Sequence, residues 1–118
     1  MEIYRRVDGF LRCDHTVGSP VEVIFPPHLW SVPPSEAYHY HPYHEYYVSV
    51  AGRGRLLVEG AEVPLEAETV VMVAPGERHR VIWVDPEQGI RWVVIKEQSA
   101  PGGKVIVPEP DAAERQAS

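Results

Sequence analysis

Three of the six histidines fall close together, at His39, His41 and His44, and Glu45 follows directly. In an extended chain, residues two apart share a face. His39 and His41 therefore project side by side, with Nε2 atoms able to converge on one point. Pro42 to His44 turns the chain, and Glu45 opens the next strand towards the same interior. Two imidazoles and a carboxylate on neighbouring strands form a three-point claw with open positions, which suits borderline divalent metals. Farther along, Pro75-Gly76-Glu77-Arg78-His79 reads as a turn entering a strand that begins on a histidine. A fourth ligand from such a crossing strand completes a set of three neutral imidazoles and one carboxylate.

Such a site needs short, closely spaced strands, and the chain supplies them. Twelve prolines are spread along it; each removes a backbone donor and breaks helices, so long helices are largely excluded. Residues 2–8 and 10–16 read as two strands around Asp8-Gly9, a strong turn signal. Val21 to Phe25 alternates and stops at Pro26-Pro27, and the proline-rich stretch 26–34 reads as a loop or an edge. Residues 35–41 are extended. Residues 45–51, rich in tyrosine and valine, are the most β-prone segment. Gly52-Arg53-Gly54 is expected to be the turn after it. Strands then follow at 55–58, 61–63, 69–73, 79–84 and 90–95, set off by Glu59-Gly60, Pro75-Gly76 and Asp85-Pro86. Lys104 to Val107 adds an edge strand. Turn chemistry recurring roughly every 8–12 residues points to an all-β sandwich or small barrel. Residues 1–107 are expected to form one domain with its core in 20–96, and 108–118 a frayed tail or short helix.

The 118 residues make one domain's worth, and a composition of 44% hydrophobic and 24% charged residues is that of an ordinary globular chain. The net charge of −6 argues against non-specific binding to nucleic acid or anionic membranes, whose footprint is basic. No apolar run approaches the ~18 residues of a membrane span, and Met1 to Arg6 lacks the apolar stretch of a secretory leader. The single cysteine, Cys13, makes neither an intramolecular disulfide nor a thiolate metal site alone. A cytoplasmic setting is expected.

At this point the sequence strongly resembles the cupins. Their first motif, G-x(5)-H-x-H-x(3,4)-E-x(6)-G, is matched by His39, His41, Glu45 and Gly52 at their proper spacing. Their second, G-x(5)-P-x-G-x(2)-H-x(3)-N, is matched at its centre by Gly76 and His79. Pro33, Glu68, Ala74 and Trp83 depart from the motifs at turn and flanking positions, none of them a ligand. The resemblance spans residues 20–96. It implies a double-stranded β-helix, or jelly-roll, barrel of the small single-domain type, with His39, His41, Glu45 and His79 holding one divalent transition metal: iron, manganese, nickel, copper or zinc. It also implies a homodimer and, most commonly, oxygen-dependent cleavage of the dioxygenase kind. The alternative it leaves is a non-catalytic binding or sensor cupin for a sugar-like ligand, without a DNA-binding part.

The charge of such a site narrows its guests. A divalent cation with three neutral imidazoles and one carboxylate keeps a net charge of about +1, which in a poorly solvated interior favours an anion. The expected ligand is a small anionic, enolisable or phenolic compound. Tyr47 shares the parity of Glu45, and Trp83 that of His79, so both are candidates for the pocket wall. His44 has the opposite parity to Glu45 and points to the rim, with a role as alternative ligand or outer donor. Arg53, Arg55, Arg78 and Arg80 read as a solvated face, and His15, His28 and Cys13 as surface, loop and packing residues. Isomerase or epimerase chemistry is disfavoured because no lysine neighbours the motifs to act as base.

Overall fold

Ten strands and no helix make up the computed structural model over its described residues, 3–6, 13–14, 21–26, 37–97 and 104–110. β1 (Arg5–Arg6) and β2 (Cys13–Asp14) pair antiparallel; the turn expected at Asp8-Gly9 falls outside the described residues. So do His15, His28, Trp30 and residues 111–118. The other strands, β3 (Val21–Ile24), β4 (His39–Tyr40), β5 (Glu45–Val58), β6 (Ala61–Glu66), β7 (Thr69–Val73), β8 (His79–Val84), β9 (Ile90–Glu97) and β10 (Val105–Ile106), form one antiparallel sheet. No helix among the described residues is long and apolar enough to cross a membrane.

The sheet curls because β5 belongs to both of its halves. Gly52-Arg53-Gly54, expected as a turn, is instead the bend inside a single strand of 14 residues. Before the bend β5 pairs with β7 and β9; after it, with β6 and β8. The register against β9 slips between Ser49 and Ala51, a bulge that strengthens local twist. Gly52 then takes φ +83°, and a Cβ there would stand 2.2 Å from the Gly89 carbonyl oxygen. Only glycine absorbs this bend without breaking the ladder. The two halves fold over one another as a jelly-roll barrel. Glu59-Gly60, at φ 48° and 81°, makes the tight connection to β6 that the sequence promised. Glu68, standing where the cupin motif has glycine, also takes a positive φ, 59°.

Between the halves lies the apolar core: Leu56, Leu65, Val73, Val81, Val84, Ile90, Trp92 and Val94, joined by the ring of Tyr47. Hiding each such side chain is worth ~1.5–3 kcal/mol. The alternation in β5 is reversed at its start: inward positions 45, 47 and 49 are Glu, Tyr and Ser, while the outward ones are Tyr46, Val48 and Val50. A polar interior at this end of the barrel is therefore written into the strand itself.

Candidate metal centre

His39 and His79 face each other across the β4–β8 ladder as direct register partners. His41 follows β4 in the connecting turn, where its carbonyl accepts the Gly76 N–H at 2.9 Å. That bond ties the two histidine segments together, and Glu77 closes the Pro75-Gly76 turn by accepting the Ala74 N–H at 2.7 Å. Glu45 enters from the opposite half of the sheet, at the start of β5. All four side chains are buried: His39 3%, His41 2%, Glu45 4% and His79 0% exposed.

The three imidazoles are oriented in one way. Nδ1 of His39 lies 2.7 Å from the Ala37 carbonyl, Nδ1 of His41 3.1 Å from that of Tyr43, and Nδ1 of His79 2.8 Å from that of Glu77. A carbonyl oxygen only accepts, so each Nδ1 donates and each neutral ring keeps its lone pair on Nε2. The ligand atoms of the three rings all lie within 4.8 Å of one another. Glu45 Oε1 stands 3.3 Å from His41 Nε2 and 3.0 Å from His79 Nε2, and accepts the Tyr47 hydroxyl at 2.9 Å. Lone pairs of two imidazoles thus face a carboxylate oxygen with no proton between them. A divalent cation between them would turn this repulsion into attraction, and the three imidazoles could hold one.

The electrostatics keep His39 and Glu45 in ligand form. Burial, with the nearby positive charges of His79 and Lys104, lowers the His39 imidazole to about 4, against the pull of its Ala37 bond and of Glu45. Burial pushes the Glu45 carboxyl up, but the His41 and His79 rings at its Oε1, which donate to it whenever they carry a second proton, and the charges of His79 and Lys96 more than offset this and hold it well below the usual carboxylate range. At neutral pH His39 is uncharged and Glu45 ionised.

A family model described as a cupin domain matches residues 23–96. The chain belongs to the cupins. Solved structures agree on the fold. A cupin 2 conserved barrel domain protein from Salinispora arenicola shares 25% identity, with 86% of this chain and 72% of that one covered and a TM-score of 0.56. Pac13 from Streptomyces, described as a nucleoside dehydratase and solved with uridine, shares 14% over 96% of this chain and 90% of its own, TM-score 0.65. The polyketide cyclase RemF from Streptomyces resistomycificus shares 16%, covering 82% and 66%, TM-score 0.59. No curated protein matches the sequence significantly.

Around this cupin's histidine cluster, the remaining candidates separate. Tyr47 is buried, bonded to Glu45, with its ring 5.8 Å from that of Trp92. His44 is half-exposed and turned away; its Nδ1 and its backbone N–H meet Glu97 Oε1 at 2.5 and 2.6 Å. Trp83 does not keep the parity of His79. Arg55 pairs with Trp83 and Leu56 with Val81, so Ile82 is an extra residue that reverses the alternation. The Trp83 ring lies half-buried under the Arg55 guanidinium, 5.8 Å away, and not beside the imidazoles. The arginines take surface partners: Arg55 with Glu62, Arg78 with Glu59, Arg80 with Glu109.

Two residues escaped sequence reasoning. Tyr43 supplies the carbonyl that orients His41 and stacks its ring on that imidazole, 4.1 Å between centroids and 1° between planes. Its place between the motif's second histidine and its glutamate was the available signal. Lys96 is the register partner of Glu45 on β9, so a lysine does neighbour the first motif, contrary to expectation. Nothing local in the sequence announces it, because the pairing joins segments far apart in the chain.

Proposed function

We propose that this cupin binds one divalent transition metal ion per chain through His39, His41, His79 and Glu45. We further propose that it is a metal-dependent enzyme of the dioxygenase kind, acting on a small anionic, enolisable or phenolic compound. One observation carries the reading: three Nδ1 atoms are tied to backbone carbonyls, which leaves three Nε2 lone pairs and a carboxylate oxygen turned towards one point. When bound, the metal ion supplies Lewis acidity and a residual positive charge for an anionic oxygen donor. The chain's own groups do the rest. Backbone carbonyls fix the imidazole tautomers, and the Tyr47 hydroxyl orients Glu45. The proposed unit is a single barrel of residues 1–107, in a reducing cytoplasmic setting consistent with the lone Cys13.

A homodimer belongs to the same proposal. Tyr46 pairs with Met72 and Val48 with Val70 on the outer face of the β5–β7 ladder, and Tyr46, Val50, Val70 and Met72 are 38, 60, 59 and 46% exposed. A contiguous apolar face of this kind suits burial against a second copy. A second reading, non-catalytic binding of a sugar-like ligand, draws support from the uridine held by the Streptomyces neighbour.

Anaerobic loading with Fe(II), followed by oxygen uptake in the presence of small keto acids, enols and catechols, tests the enzyme reading. Substrate-dependent uptake is expected. A loaded protein whose spectrum responds to none of these anions, and which consumes no oxygen, would leave the binding reading in its place.

A further inference from the structure

Lys96 stands in a row of interior positions that the motifs do not reveal. Its register partners are Glu45 on β5 and Glu22 on β3. Register partners in an antiparallel ladder share a face, so Lys96 lies on the same inner face of the sheet as Glu45. The neighbour in sequence, Glu97, points the other way, exposed and bonded to the outward His44, as strand alternation requires. The Lys96 side chain is half-buried. Among the described residues no carboxylate lies within 4.0 Å of its ammonium, although its charge is felt at Glu45. A lysine in this position is a flexible point charge that reaches an anion without being consumed by an ion pair.

We propose that Lys96 is the anchoring cation of this site: it holds a carboxylate of the ligand while a second oxygen donor of the same molecule meets the histidine cluster. The substrate class is then a small carboxylic acid bearing a second oxygen donor, such as a dicarboxylate, a hydroxy acid or a keto acid. This rests on the metal-binding reading above and narrows its substrate. Glu22, on the far side of Lys96, tempers the ammonium's field and keeps the site from gathering simple anions indiscriminately.

Succinate and acetate, titrated into the Co(II)-loaded protein and followed by the cobalt d–d spectrum, separate the two parts of the claim. The unsubstituted protein should bind succinate at least ~10-fold more tightly than acetate, since one carboxylate meets the metal and the other the ammonium. Lys96→Gln should bring succinate down to the acetate level and leave acetate unchanged. Lys96→Arg should keep part of the preference, and Glu22→Gln should increase it. An unchanged succinate-to-acetate ratio in Lys96→Gln, with a normal cobalt spectrum, overturns the role of Lys96 alone. A protein that gives no cobalt spectrum overturns the metal reading and this proposal with it.

Discussion

His79 Nε2 stands 3.0 Å from Glu45 Oε1, although the two residues are 34 positions apart and come from opposite halves of the sheet. Burying a carboxylate costs several kcal/mol unless it is compensated. The Tyr47 hydroxyl supplies part of that compensation on the same oxygen, and a cation shared with the His41 and His79 imidazoles would supply the rest.

Tyr47→Phe removes the donor that orients Glu45 and leaves the ring, and so the packing against Trp92, in place. Loss of such an outer partner typically costs ~10–100-fold in metal affinity. Competition against a chelator of known affinity should show a weakening of that order, with a melting temperature altered by only a few degrees. Unchanged metal affinity would mean that Glu45 is positioned by the imidazoles alone.

The metal-free protein should lose stability on acidification. His39 has its imidazole lowered to about 4 in the folded chain, against an ordinary ~6.5 unfolded. Between those values the unfolded chain binds the extra proton, so stability rises with pH there. The contribution is complete above pH ~6.5 and fades as pH falls through ~4; its full size is ~3 kcal/mol at most. The depressed Glu45 carboxyl acts in the same direction. Urea unfolding of the metal-free protein at pH 7, 5.5 and 4.5 should show a progressive fall, and a flat profile would contradict the burial of a neutral His39.

Much of this architecture is legible in the residues. β-Branched runs between turn residues locate β7, β8 and β9, and Glu59-Gly60 and Pro75-Gly76 sit where a left-handed or sharply bent backbone is needed. The spacing of His39, His41 and Glu45 is local, so it places one imidazole on β4, the next just after it and the carboxylate at the start of β5. What was not legible is what depends on register. Gly52 looks like a turn residue, yet here glycine lets β5 bend past Gly89 and continue. One extra residue, Ile82, turns Trp83 outward, and no single-strand pattern shows a bulge dictated by its partner. Lys96 comes beside Glu45 only through the pairing of β9 with β5.

The outer face of the β5–β7 ladder should govern association. If Tyr46, Val50, Val70 and Met72 meet a second copy, size-exclusion chromatography with light scattering will give about twice the 13.3 kDa chain mass. Val70→Lys combined with Met72→Glu, both at exposed positions, should then yield monomers that remain folded. A monomeric unsubstituted protein would rule out the dimer.

Metal content of the purified protein, reloaded after chelation and compared with His79→Ala, bears most directly on the proposed four-ligand centre. The expected result is about one divalent ion per chain in the unsubstituted protein and well under half of that in His79→Ala, because the imidazole that bridges the two halves of the site is gone. Equal stoichiometry in the two proteins, or no bound ion in either, would contradict the centre as drawn.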